Sequence, residues 1–260
     1  MEKETIEIKK EIIEISNFEQ LKNSLKAKEG EKVGGLVDIS IFRHCRPVSD
    51  AKDASLSPEG EDEAKKLAST INPESQIVFI YSPLVRAKRT VEILSKNIQA
   101  QKIYFFEEEH LNKPSWNSPE ERRFGELKDK LHQKPPETKR KILQMFYGAK
   151  SEKAMAEESA RKLDDFFNGC VDLASKLPTG QRLKVIAISH QETMEPYLVR
   201  RWNLDIGGPK AWEGWLHLGG IKTGNGFRLI IDDKQKVKIL EINNRRFNQS
   251  YNKLNDARVT

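Results

Sequence analysis

Val37-Asp38-Ile39-Ser40-Ile41-Phe42-Arg43-His44 is an apolar run closed by a guanidinium and an imidazole, and Val185-Ile186-Ala187-Ile188-Ser189-His190 closes in the same way. Short apolar runs of this kind read as buried strands. In an open α/β sheet, ligands sit outside the carboxyl ends of the strands, so two histidines at strand ends can meet across one pocket. A third fragment, Ser82-Pro83-Leu84-Val85-Arg86-Ala87-Lys88-Arg89-Thr90, follows the apolar run Ile77 to Tyr81. It adds a guanidinium at a third strand end. Imidazoles and guanidiniums facing one concavity suit a tetrahedral oxyanion, because Arg offers a fixed fork of donors and a permanent charge. Phosphate is the candidate.

These residues resemble the histidine phosphatase superfamily, also called phosphoglycerate mutase-like, in the order of the pieces as well as their content. The Arg-His-Gly motif of that family appears as Arg43-His44-Cys45, and its helix-opening segment as Leu56-Ser57-Pro58-Glu59-Gly60, followed by Ala64, Leu67 and Ala68. The central Ser-Pro-Leu-x-Arg-Ala-x-x-Thr segment is intact from Ser82 to Thr90, and Ser-His-Gly appears as Ser189-His190-Gln191. The resemblance runs from about Val37 to Asn244, with a poorly matching middle.

Cys45 and Gln191 replace glycines that normally let backbone N–H groups approach a phosphate closely. A Cys side chain is small enough to fit; Gln191 either narrows the pocket or adds a substrate contact. Cys45 also invites a cysteine-phosphatase reading, in which a thiolate attacks and an Arg six residues on holds the phosphate. Position 51 is Ala, so that reading fails. Cys170, with Lys176 at the equivalent spacing, reads as a buried small apolar residue.

A chain of 260 residues suffices for one sizeable core, alone or with an elaborated cap. Its two cysteines cannot form a disulfide framework, which favours a reducing compartment. The start, Met1-Glu2-Lys3-Glu4, has no apolar core behind a basic segment, and no apolar run approaches membrane-spanning length. A cytoplasmic protein without a membrane association is expected. Of the net charge of +6, the window from His110 to Lys150 carries much, with ten Lys or Arg residues against five acids. Such a segment either focuses the field that attracts an anionic substrate or decorates a solvated helical face. Nucleic-acid binding is not expected, since no aromatic-rich strand motif or zinc-finger spacing accompanies the charge.

Strands and helices alternate along the chain. Ile6, Ile8, Ile13 and Ile15 give a weak strand pattern, and Ser16 with Glu19 makes a capping box for a helix bearing Phe18, Leu21 and Leu25. Residues 1–33 are thus expected as an extension packed on a catalytic domain spanning 34–260. Ser57-Pro58 opens a helix that buries Ala64, Leu67, Ala68 and Ile71; Val91, Leu94 and Ile98 mark the inner face of the next. The segment from Ser118 to Gly148 reads as two helices broken at Pro135-Pro136, and a long helix follows from about Ser151 to Leu177. Helices between strands imply right-handed crossovers and a mostly parallel sheet. Beyond Trp215, runs separated by Thr223-Gly224-Asn225-Gly226 and by Asp232-Asp233-Lys234 read as an antiparallel meander ended by Glu241-Ile242-Asn243-Asn244. The expected fold is a three-layer α/β/α sandwich of phosphoglycerate mutase-like type, with a helical cap inserted at about 110–150.

The resemblance implies that His44 attacks phosphorus while Arg43, Arg86 and His190 hold the equatorial oxygens, with Gln191 beside them. It implies no cofactor and no metal, since the guanidiniums supply the positive field. It also implies a carboxylic acid just past the strand after the Arg86 helix, where Glu107, Glu108 and Glu109 all stand. Registering related sequences on Leu111 and Pro114-Ser115-Trp116 selects Glu108. Lone histidines are mostly packing or surface residues, and His110, His132 and His217 are read so, as are Trp116, Trp212 and Trp215 as packing residues. The expected activity is metal-independent hydrolysis of a phosphomonoester, either a phosphorylated small molecule or a phosphoprotein. A phosphomutase and a silent member that binds a phosphorylated ligand or partner are the alternatives.

Overall fold

The computed structural model describes residues 10–49, 51, 53–72, 74–114, 152–201, 221–234, 237–242 and 245–247. In chain order these form β1 (Glu11–Glu14), α1 (Phe18–Leu25), β2 (Leu36–Arg43), α2 (Pro58–Thr70), β3 (Gln76–Tyr81), α3 (Val85–Asn97) and β4 (Lys102–Glu107). A 3-10 turn (Glu109–Leu111) follows, then α4 (Glu152–Lys176), β5 (Arg182–Ser189), α5 (Gln191–Arg201), β6 (Gly226–Asp232), β7 (Val237–Ile242) and β8 (Arg245–Phe247). Two compact units result: Met1–Asn112 with Phe166–His190 and Ile221–Thr260, and Lys113–Asp165 with Gln191–Gly220. Most of the expected cap, the basic window from 115 onward, and Trp116, Trp212, Trp215, His132 and His217 lie outside the described residues.

The sheet has the order β1-β4-β3-β5-β2-β6-β7-β8. The first five strands in that order run parallel and the last three continue antiparallel, giving the α/β architecture expected. Helices lie on both faces. On one face Ile77, Phe79, Ile103, Ile186 and Ile188 pack with Leu67 and Ala68 of α2 and Ala87, Val91 and Leu94 of α3, while Phe42 and Ile71 are partly buried against them. Each fully buried Val, Leu, Ile or Phe side chain there stabilises the fold by about 1.5–3 kcal/mol. On the other face Phe18 of α1 meets Phe106 of β4 edge-on at 5.1 Å and Phe166 of α4 at 5.8 Å.

Local chemistry explains the element ends. Ser57 caps α2 by accepting from Gly60 N–H at 3.1 Å, and Pro58 occupies the first turn, where its missing N–H costs nothing. Gly60 has no room for a side chain, since a Cβ would stand 2.0 Å from the Arg46 carbonyl oxygen. Before α1 the cap is Asn17, one residue later than the Ser16 expected. Its Oδ1 accepts from Gln20 N–H, and Gln20 Oε1 accepts from Ser16 N–H. The box forms with an amide and a glutamine because Asn17 reaches a free N–H of the first turn while Gln20 reaches back to the N–H just before the cap. The meander also differs: β8 follows the expected end at Asn244 and pairs with β7, while any strand before Thr223 lies outside the described residues. Among the described residues no helix is long and apolar enough to cross a membrane.

Asp38 interrupts the apolar run of β2 and is 1% exposed. Arg228 donates to both its oxygens at 2.8 Å, Arg182 also bonds it, and Lys184 Nζ stands 3.4 Å away. Burial alone would raise the carboxyl pKa, but the Arg228 hydrogen bonds, the Lys184 charge and the Arg182 hydrogen bond together bring it down to about 2. A depressed carboxylate pKa stabilises the fold above the unfolded value, near 4, and that contribution disappears as pH falls through about 2. Asp38→Asn should therefore cost about 2 kcal/mol at pH 7, because it removes the buried carboxylate that the partly exposed Arg228, Lys184 and Arg182 engage. Urea unfolding followed from pH 7 to pH 2 should show the variant lacking about 2 kcal/mol of the wild-type acid dependence. Parallel acid limbs in the two proteins would refute this account.

Candidate active site

The sheet order assembles the site. Because β5 inserts between β3 and β2, the residues leaving the carboxyl ends of these three strands become neighbours. Arg43 is in register with Ser189, so His44 and His190 emerge side by side, and their ring centroids lie 5.0 Å apart. The ladder continues past the strand ends through His44 N–H to the Ser189 carbonyl at 3.1 Å and Ser82 N–H to the Ile188 carbonyl at 3.1 Å. Arg86 stands in the first turn of α3, and its side chain turns toward β2. His44, Ser82, Arg86 and His190 are all buried.

His44 is held at both ring nitrogens. Nδ1 lies 2.8 Å from the Cys45 carbonyl oxygen, which can only accept, so Nδ1 carries the proton. Nε2 then keeps its lone pair and accepts from Arg86 Nε–H at 3.1 Å. A neutral imidazole with its bare nitrogen against a guanidinium is arranged for attack on a centre whose oxygens the same guanidinium can bind. Arg86 Nη1 donates to the Ala51 carbonyl at 3.1 Å, which anchors the guanidinium to the loop between β2 and α2. His190 Nε2 lies 2.6 Å from Ser82 Oγ, a hydroxyl able to serve either protonation state of the ring. Arg43 Nη1 donates to the Ile221 carbonyl at 3.0 Å.

The structure places the two residues at the usual glycine positions. Cys45 packs its side chain with Leu56, Ala64 and Ile93 in a small apolar cluster, which accounts for its presence there. Burial pushes its thiol up to about 12, so it stays protonated at neutral pH and is no nucleophile. Gln191 opens α5, and its Nε2 donates to Glu195 Oε1 at 2.7 Å, one turn along the helix.

Glu108 follows β4, and its N–H donates to the Tyr81 carbonyl at 2.8 Å, beside the strand end that carries Ser82. Its side chain accepts from His110 N–H at 3.1 Å and lies 2.6 Å from His110 Nδ1. His110, set aside on sequence grounds, thus partners the candidate acid. Glu109 accepts from the Asn112 side chain instead.

Residues 40–220, more than half of the chain, match the histidine phosphatase superfamily (branch 1). The chain belongs to the histidine phosphatase superfamily. Among solved structures, phosphoglycerate mutase from Bacillus anthracis str. Sterne resembles it with a TM-score of 0.51 at 8% identity, over 88% of this chain and 98% of that one. Phosphoserine phosphatase from Entamoeba histolytica has a TM-score of 0.45 at 15% identity, over 74% and 90% of the two chains. YhfR of Bacillus stearothermophilus has a TM-score of 0.47 at 12% identity, over 84% and 97%. No curated protein matches the chain.

Within this histidine phosphatase superfamily member, sequence reading named the imidazoles and guanidiniums but gave no role to Ser82 or Thr90. Both stand in the segment that carried the resemblance. Their chemistry escaped because a hydroxyl acts through its partners, and those partners lie 108 residues away for Ser82 and 45 for Thr90.

Proposed function

We propose that the chain is a metal-independent phosphomonoester hydrolase working through a phosphohistidine on His44. The observation that carries this reading is the bare Nε2 of His44 held against Arg86, with His190 beside it. In the first step Nε2 forms a bond to phosphorus as the ester P–O bond breaks. Glu108 gives its proton to the departing alkoxide. In the second step the Glu108 carboxylate takes a proton from water, whose oxygen bonds to phosphorus. The N–P bond then breaks, its electron pair returns to Nε2, and inorganic phosphate leaves. Arg43, Arg86 and His190 hold the three equatorial oxygens, whose charge needs compensation throughout. The substrate is a phosphorylated small molecule or a phosphoprotein, and the reaction needs no cofactor.

The short stretch between His44 and Gly60 and the lack of the longer mutase consensus after Arg43-His44 support hydrolysis over transfer. Rapid quench with a radiolabelled phosphate ester, chosen from a panel of phosphorylated metabolites, separates the two. The expected result is an acid-labile, base-stable phosphoenzyme that decays to free phosphate. Label recovered mainly in an isomeric ester would establish a mutase instead. Absence of both label and turnover across the panel would favour a silent binder.

A further inference from the structure

Four buried hydrogen bonds close on themselves around the candidate nucleophile. His44 Nδ1–H donates to the Cys45 carbonyl at 2.8 Å, and Cys45 N–H donates to Thr90 Oγ1 at 3.3 Å. Thr90 Oγ1–H donates to the Arg86 carbonyl at 2.8 Å, and Arg86 Nε–H donates to His44 Nε2 at 3.1 Å. We infer that Thr90 is a positioning residue, whose hydroxyl joins the His44-Cys45 segment to the helix that carries Arg86 and so sets the tautomer and aim of His44. As a catalytic statement this rests on the proposed phosphohistidine chemistry.

The physical case begins with the hydroxyl's capacity. A threonine inside a helix commonly donates back to the carbonyl four residues before it, and this uses its only proton. Its lone pairs remain for one further donor, and Cys45 N–H supplies it. Both main-chain groups that matter flank the Cys45 Cα: the N–H is tied to Thr90, and the carbonyl fixes the proton on His44 Nδ1. Releasing the first leaves a buried N–H without its acceptor, a state that the backbone relieves by turning. Such a turn carries the carbonyl with it, and the Nδ1–H tautomer loses its anchor. Serine and valine divide the hydroxyl from the shape, since Thr90 is fully buried and valine fills the same volume without the oxygen.

Thr90→Val and Thr90→Ser are compared with the wild type in the full-length protein. Thr90→Val is expected to lower kcat about 10- to 100-fold with little change in KM, because misplacement of a reacting group by about 1 Å costs that much. Thr90→Ser should restore most of the rate. A second readout needs no turnover: 15N NMR of the His44 imidazole, assigned by its loss in His44→Gln, should show a single Nδ1–H tautomer in wild type and Thr90→Ser. In Thr90→Val it should show a mixture. That tautomer change supports the positioning role even where no substrate is turned over, which keeps failure of the hydrolase reading separate from failure of this one. An unchanged His44 tautomer in Thr90→Val, or a Thr90→Ser as impaired as Thr90→Val, would overturn the inference.

Discussion

If His44 is the proposed nucleophile, His44→Ala is expected to abolish phosphate release, a loss on the order of 10⁴-fold or more, as for removal of a covalent nucleophile elsewhere. The imidazole is the group whose bare nitrogen is set against Arg86, and no other side chain in the described site offers a neutral lone pair in that position. Cys45→Ala should retain most of the activity, because the Cys45 side chain packs with Leu56, Ala64 and Ile93 and its thiol is held protonated. On the proposed mechanism, in which Arg43, Arg86 and His190 meet the charge on the transferring group, turnover should also survive a metal chelator. Phosphate release assayed for the two variants, with and without chelator, checks the assignment. A dead Cys45→Ala beside an active His44→Ala would sink it, as would chelator-sensitive turnover.

Glu108→Gln tests the proton donor. Protonation by a positioned carboxylic acid contributes about 10²–10⁴ in rate and matters most for a poor leaving group. The variant should slow hydrolysis of an alkyl phosphate by that factor and of a nitrophenyl phosphate far less, because nitrophenolate departs without a proton. The structure makes the neighbours good controls. Glu107 ends β4 on an exposed position, and Glu109 is engaged by Asn112. Neither Glu107→Gln nor Glu109→Gln should show the leaving-group dependence. If one of them does, the register taken from Leu111 and Pro114 is off by one. If none does, the donor stands elsewhere in the chain.

How much of this was legible depended on the range of the physics involved. Apolar runs, a proline after Ser57, and histidines at run ends are local properties, and they placed β2, β3 and α2 within a residue or two, while β5 begins three residues before Val185. The cap of α1 moved from Ser16 to Asn17 because several side chains there can cap, and only the backbone decides which one reaches. Asp38 within an apolar run was silent as sequence; its meaning came from Arg182, Lys184 and Arg228 on neighbouring strands.

The sequence by itself determined the chemistry at each strand end: which residues carry imidazole, guanidinium or carboxylate, and that they follow buried strands. Side-chain type and hydrophobic period are written in consecutive residues, so no partner is needed to read them. Only the tertiary structure decided the sheet order, with β5 between β3 and β2, which sets His190 5.0 Å from His44 and 2.6 Å from Ser82. It alone decided that Cys45 turns into an apolar cluster and that Thr90 ties His44 to Arg86. Those contacts join residues from different elements or fix where one side chain points. They exist only once the burial of apolar surface has brought the strands and helices together, because a hydrogen bond has direction and a reach of about 3 Å.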